Sequence, residues 1–342
     1  MHKKCYFETY RFSEDLDFSL LADSLYSDIE IKNEINEILI NISRLSGITF
    51  STDLTSVEIK VNKQNQRTFK AKIAYSGPLV FPGHPRILFD ITNNEPLFSN
   101  STNKHIIHSY PDIVPQDATV VTYSLHELLA EKTRALFERT RPRDLYDVVY
   151  ILENRAQEIN YRQLRDLFIK KCTAKNLKPP SAQELLCLIN QSEELKADWE
   201  AMLSHQLPGL PLVEDYLSRT AALLEWLDEA ATTVEPQILE TAPISFGHII
   251  NPVGIHYWTG SIPLEVLRFC GANRLKVQFD YTDKSNRIVE PYSLRQANTG
   301  NLLFYGWEDG ESHIKAFNVA KIHHLRATNI SFSPKYQVEF IM

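Results

Sequence analysis

Residues 128–152 read LLAEKTRALFERTRPRDLYDVVYIL, and this stretch decides how the first half of the chain folds. Ser124 stands as a cap before it, and Glu127, three residues on, completes a capping-box pattern, so a helix is expected to begin there. Its apolar stripe runs through Leu125, Leu128, Leu129 and Leu136, and Lys132 and Arg139 fall on the same stripe. Pro142 interrupts the helix because it lacks an N–H and its ring clashes with the preceding turn. A second helix is expected from Arg143 to about Glu153. A lysine on a buried stripe needs an anion, either a carboxylate or a nucleotide phosphate. The alternative is that its stem is buried while the ammonium reaches water.

Upstream, residues 11–20, RFSEDLDFSL, alternate with period two and read as a strand with Asp15 and Asp17 on one face. Two carboxylates held that close repel unless a cation neutralises them, and an all-oxygen set favours Mg2+. A solvated strand edge is the competing reading. An amphipathic helix is expected over Asp28–Leu45. Strands are expected over Val57–Val61 and Thr68–Tyr75, joined by a turn over Asn62–Gln66, and over Arg86–Thr92. In that last strand, RILFDIT, Leu88, Asp90 and Thr92 share the face opposite Ile87, Phe89 and Ile91. An acid so flanked in a central strand is costly unless paired or metal-bound, whereas on an edge strand it would sit in water.

Downstream, helical periodicity continues over Tyr161–Lys171, Ser181–Leu203 and Leu212–Ala231, making residues 115–231 a helical block. Residues 241–261 lose almost all charge, gather Gly, Pro and aromatics, and read as a packed connector. A new domain is expected near Ile262. It opens with a short helix, Pro263–Phe269, followed by the strand signals LKVQFDYT, RIVEPYSLR, NLLFYGWE, HIKAFNVAKI and YQVEF. Short strands at this spacing suggest a small barrel. The fold class is therefore α+β, with domains expected over 1–205, 206–261 and 262–342.

With 342 residues, 43% of them apolar, the chain can bury more than one core. Its net charge of −7 does not exclude a nucleic-acid partner. Residues 181–240 carry twelve acidic and two basic residues, a balance of −10, so the rest of the chain sums to +3. Near the start, Glu8, Arg11, Glu14 and Asp15 stand where an export signal would need an apolar run. No apolar stretch approaches the roughly 20 residues needed to cross a bilayer. Cys5, Cys172, Cys187 and Cys270 form no CxxC pair, so neither a zinc site nor a disulfide framework is indicated. A soluble, cytoplasmic protein without membrane partners is expected.

The strings RFSEDLDF, FDIT and LLAEKTRALFERTRPRDLYDVVYIL, in this order, closely resemble the AbiEii family of toxin nucleotidyltransferases, which share a polymerase-β-like minimal core. The resemblance covers roughly residues 1–155 directly and the following helices loosely. It implies that Asp15 and Asp17 are the metal-binding pair, Asp90 the third acid, and Lys132 the lysine that contacts nucleotide phosphates. In the RDLYD segment it implies Asp144 as the functional acid. Arg139, Arg143 and Asp147 are nucleotide-binding candidates, with holding the helix as the alternative role of Asp147. The implied chemistry uses an NTP and two cations, Mg2+ or Mn2+, that steer an in-line attack on the α-phosphate, with pyrophosphate leaving. The family opens its core with a Gly-Gly-Thr or Gly-Gly-Ser phosphate cradle about fifteen residues before the first Asp, and no Gly-rich loop precedes Asp15 here. Two expectations follow: a true start upstream of Met1, or a lost cradle.

The stretch LKVQFDYTDKSNRIVEPYSLRQANTGNLLFYGWEDGESHIKAFNVAKIHHLRAT resembles a WYL domain, an Sm-like barrel of bacterial regulators and defence proteins, at Tyr281, Arg287, Pro291 and Phe317. Leu302, Leu303 and Phe304 occupy the strand that carries the family's naming triad, and Lys315 stands where the family has Arg. Such domains bind single-stranded nucleic acid or nucleotides through basic and aromatic side chains. The candidates are Arg287, Arg295, Lys315 and Arg326, with Tyr281 and Trp307 for stacking. Core packing is the simpler role for Phe317 and Tyr281.

Together these readings describe a nucleotidyltransferase toxin or antiphage effector. It would transfer NMP from an NTP to RNA, with tRNA the expected acceptor, under control of the WYL-like part and restrained by a cognate antitoxin protein. The alternative is a catalytically decayed fold that acts as a non-enzymatic sensor or scaffold. Nucleotidylation of a protein would use the same residues.

Overall fold

A computed structural model describes residues 5–7, 11, 15–20, 27–61, 67–77, 83–92, 95–107, 118–228, 239–249, 258–259, 262–282 and 284–341. The turn expected over Asn62–Gln66 and most of the connector lie outside the described residues. The chain divides into two compact units, one holding Phe12–Leu97 and the other His2–Arg11 together with Phe98–Met342.

The first unit is a four-stranded sheet with one helix. Strand β1 (Asp15–Ser19) is followed by helix α1 (Asp28–Ser46) and by β2 (Thr49–Val61), β3 (Arg67–Ser76) and β4 (Arg86–Thr92). The order is β1-β4-β3-β2, with β1 parallel to β4 and the other pairs antiparallel. Helix α1 starts in a full capping box between Ser27 and Glu30 and ends at Gly47, whose φ of 72° is left-handed and costs glycine little. Ile31, Ile35 and Leu39, one turn apart, face Phe69, Ala71 and Ile73 of β3 and form the core. Ile87, Phe89 and Ile91 of β4 pack against it, and Phe18 stacks on Phe89 with ring centroids 5.7 Å apart. Strand alternation sends Asp15, Asp17, Leu88, Asp90, Lys70 and Lys72 to the opposite face.

In the second unit a short hairpin, β5 (Thr102–His105) and β6 (Thr119–Thr122), leads into α2 (Leu125–Arg139) and α3 (Pro142–Arg155). Ser124 caps α2 by accepting the Glu127 N–H, but the expected capping box is not completed. The Glu127 carboxylate turns inward, accepts the Phe98 N–H at 3.1 Å and pairs with Lys171 at 2.8 Å, both side chains being buried. A buried ammonium attracts that carboxylate more strongly than the neutral, half-buried N-cap amide does. Pro142 occupies the first turn of α3, and Thr140 makes the corner in left-handed geometry with φ 43°. Helices α4 (Tyr161–Ala174), α5 (Ala182–Gln191), α6 (Glu193–Leu203) and α7 (Val213–Leu223) follow. The pattern read as one helix over Ser181–Leu203 is thus two, because the Ser192 hydroxyl caps a new start at Leu195 N.

After the two-residue strands β7 (His248–Ile249), β8 (Trp258–Thr259) and β9 (Ile262–Pro263) come α8 (Leu264–Ala272) and five strands. These are β10 (Leu275–Tyr281), β11 (Lys284–Gln296), β12 (Leu302–Glu308), β13 (Lys315–Asn318) and β14 (Ile322–Ser331). They form an antiparallel sheet in the order β13-β12-β11-β10-β14, with β7 added to β11, and among the described residues no pairing joins β13 to β14. The fifth strand is β14; YQVEF contributes a 3-10 turn, Glu339–Ile341, instead of a strand. Positive φ at His324 and register shifts break the period-two pattern of β14, which hides it in the sequence. The sheet and helices share a polar seam: Tyr146 donates to Asn273 at 2.6 Å, Asn154 to the Ala272 carbonyl at 3.1 Å, and Arg274 to the Glu153 carbonyl at 3.3 Å. No helix among the described residues is long and apolar enough to cross a membrane.

Gly306 lies in the middle of this sheet, where a Cβ would run into the Val289 side chain and the Glu290 carbonyl. Gly306→Ala is expected to lower stability by about 1–3 kcal/mol through overpacking, read as a lower midpoint in urea denaturation with an unchanged slope.

Candidate functional site

The three acids singled out by the sequence lie on one face of the first unit. Asp17 and Asp90 are direct partners across the parallel β1–β4 pair, and Asp15 precedes Asp17 by one strand repeat. Asp90 is paired: Lys70, opposite it on β3, places Nζ 2.7 Å from Oδ2. That contact, opposed by partial burial and reinforced by the fields of Asp90, Asp15 and Asp17, holds the Lys70 ammonium above its ordinary pKa. The next lysine, Lys72, reaches Glu58 at 3.5 Å. Among the described residues, no three His, Cys, Asp or Glu side chains converge tightly enough to stand as a ready metal site. The donor chemistry of Asp15 and Asp17 nevertheless fits a hard divalent cation: both supply carboxylate oxygens from the same strand face.

In the second unit, Lys132 and Asp147 meet at 2.8 Å across the α2–α3 corner. Asp147 is fully buried and also accepts two bonds from Arg11, at 2.8 and 2.9 Å. Arg11 makes a further bond to Gln206 at 3.1 Å. Burial pushes the Asp147 carboxyl up, but Lys132 and Arg11 outweigh it and hold the group well below the ordinary carboxylate range. With its folded pKa depressed, the stabilisation is present at neutral pH and is lost only as the pH falls through the ordinary carboxylate value toward the folded one. Asp144 is buried one turn earlier and is held by both nitrogens of Arg139, at 2.7 and 3.0 Å. Arg143 is half-buried in the first turn of α3. Thus Asp147 is the acid in contact with Lys132, while Asp144 is spoken for by Arg139.

A family model described as nucleotidyl transferase AbiEii toxin, type IV TA system, matches residues 1–225. The chain belongs to this AbiEii nucleotidyltransferase toxin family. The match takes in all the acids and lysines just described. Among solved structures, the chain is similar to MenT4, the nucleotidyltransferase toxin Rv2826c from Mycobacterium tuberculosis H37Rv, at 19% identity. That alignment covers 67% of this chain and 73% of MenT4, with a TM-score of 0.44. No curated protein matches the sequence.

The remaining candidates lie beyond the region matched to AbiEii. Arg287 is buried, contacts Glu308 at 2.6 Å and lies over the rings of Tyr281 and Phe317. Lys284 and Lys315 join the same carboxylate at 2.8 and 3.1 Å. Burial pushes Glu308 up, but Lys284, Lys315 and Arg287 pull it below its ordinary pKa. Phe317 packs against Phe279 and Tyr281 in the core, and the Tyr281 hydroxyl accepts the Asn318 N–H. Arg295 is absorbed by the buried Glu339 at 2.6 Å and the Ile244 carbonyl at 2.8 Å. Arg326 is exposed and donates to Gln278 beside a cavity of about 190 Å3 that also touches Asp280, Asn286 and His324. Trp307 lies under Lys335, 3.6 Å from its ring centroid. Arg287, Lys315 and Tyr281 are therefore together, with Arg295 and Arg326 elsewhere on the sheet.

Sequence reasoning missed Lys70 and Arg11. The alternation of TFKAKIAY, with Phe69, Ala71 and Ile73 buried, already puts Lys70 on the face shared with the acids. Arg11 carries no local signal, since its partner is 136 positions away. Asp147→Asn would leave Lys132 and Arg11 without their shared countercharge, at a cost of about 3–5 kcal/mol. Lys132→Ala would leave Arg11 on Asp147 and cost distinctly less. Thermal melts of the two variants at neutral pH should show that order; equal losses would contradict the shared-carboxylate arrangement.

Proposed function

We propose that this AbiEii-family chain is a cytoplasmic nucleotidyltransferase toxin that transfers NMP from an NTP to an RNA acceptor, tRNA by preference. The observation that carries the reading is the clustering of Asp15, Asp17 and Asp90 on one polar sheet face within the region matched to the family. Asp15 and Asp17 would hold Mg2+ or Mn2+. When bound, the metal neutralises and orients phosphate oxygens for displacement at the α-phosphate. Lys132 is the phosphate-contacting cation, and Asp147 positions it through their 2.8 Å contact. Arg11 shares the countercharge and keeps Asp147 ionised. Asp144 is a positioning residue for the α2–α3 corner through its two bonds to Arg139.

Type IV membership supports a cognate antitoxin partner and a place in toxin–antitoxin or antiphage defence. The C-terminal sheet would act as a WYL-like regulatory module. The reading is supported there by Lys284, Arg287 and Lys315, three cations gathered on Glu308 beside Tyr281 and Phe317, with Glu311 the second carboxylate, paired to Lys315. That excess of positive charge suits a nucleotide or single-stranded nucleic acid.

The test incubates the protein with each α-labelled NTP, Mg2+ and bulk tRNA and follows label into RNA and protein separately. Wild type should label RNA, while Asp15→Asn with Asp17→Asn should lose at least about 100-fold in rate, as expected when charge stabilisation of a transition state is removed. Lys132→Ala should stay folded and lose NTP-induced thermal stabilisation. Label in protein alone would reassign the acceptor, and no label with any NTP would favour a non-enzymatic sensor.

A further inference from the structure

Across the polar face of the four-stranded sheet, register aligns Asp17 of β1, Asp90 of β4, Lys70 of β3 and Glu58 of β2 in one row. Asp15 lies one strand repeat away on the same side. Three carboxylates on two adjacent strands repel one another, and positive charge nearby relieves that repulsion. The protein supplies one such charge itself: Lys70 Nζ is 2.7 Å from Asp90 Oδ2. Lys72, its neighbour on the same face, is directed to Glu58 instead, so of these two lysines it is Lys70 that meets the acid group, at Asp90.

We propose that Lys70 takes, at Asp90, the charge-balancing place that a second divalent cation would otherwise fill, so that this face binds a single metal ion, on Asp15 and Asp17. The inference rests on the metal reading of the proposed function and departs from the two cations that the family resemblance implies. A protonated lysine has three donors and no lone pair, so it neutralises Asp90 without being able to ligate a metal. Because it is tethered to the adjoining strand, it needs no capture from solution. An incoming second ion would have to break the 2.7 Å contact and shed water before it could gain Asp90. Asp90 is then a positioning residue that fixes Lys70 beside the metal pair, and the charge of the face is set by the fold instead of by the metal supply.

The experiment titrates Mn2+ alone into the full-length chain and reads free Mn2+ by its paramagnetic resonance signal. Wild type and Lys70→Arg should each take up one equivalent. Lys70→Met should take up two, and the second should vanish in the Lys70→Met, Asp90→Asn double variant. Lys70 is on the face opposite the helix-packed core, so these variants should remain folded, with circular dichroism melts as the control and Lys70→Gln as a second neutral substitution. Two equivalents in wild type, or one equivalent of unchanged affinity in both Lys70→Met and Lys70→Gln, would overturn the proposal while leaving the metal pair intact. Undiminished uptake by Asp15→Asn with Asp17→Asn, or no uptake by any form, would instead remove the metal reading on which it rests.

Discussion

The second unit is organised around one buried charge, the Asp147 carboxylate. An ionised carboxylate without solvent is tolerated only if its charge is matched and its oxygens are bonded, and here Lys132 and Arg11 do both. The two cations reach it from different directions in the chain, Lys132 from the preceding helix and Arg11 from far upstream. One side chain thereby joins α2 to α3 and holds Arg11. Any movement of α2 against α3 would expose or unpair that charge, so the corner is held by electrostatics in addition to the apolar packing of Leu128, Leu129, Leu145 and Val148.

The same logic runs through the rest of the helical block and the C-terminal sheet. Lys171 is buried against Glu127, Arg295 against Glu339, and Arg287 against Glu308, each pair removing two charges from water together. Separating the partners of such a pair would leave a buried charge uncompensated, which is strongly destabilising. In the first unit the arrangement is more open. The charges of the acid face are only partly buried, Lys70 and Asp90 each being about one-third exposed, so solvent screens their pairing more than that of the buried pairs.

Three of the five acids and bases assigned to chemistry from the sequence, Asp15, Asp17 and Asp90, meet on one face because period-two alternation and the parallel β1–β4 register bring them there. Alternation was legible in RFSEDLDF and RILFDIT; that these two strands are neighbours was not. For the other two, Lys132 and Asp144, helical spacing placed the lysine on the inward stripe correctly but could not choose its acid. Asp144 and Asp147 lie one turn apart on α3, and only the angle of the α2–α3 corner decides that Asp147 faces Lys132 while Asp144 faces Arg139.

The sequence by itself determined what depends on local geometry: the helix break at Pro142, the amphipathic face of α1, the inward stripe of α2 and the faces of β1 and β4. It also carried the family membership, since three motifs in fixed order survive without reference to contacts. Tertiary structure alone decided the charge partners. Arg11 with Asp147, Lys70 with Asp90, and the turn of Glu127 away from its cap toward Lys171 all join residues whose separation in the chain says nothing about distance. The physical reason is that a buried charge takes whichever opposite charge the packing of apolar faces delivers, and that packing is settled by the whole fold.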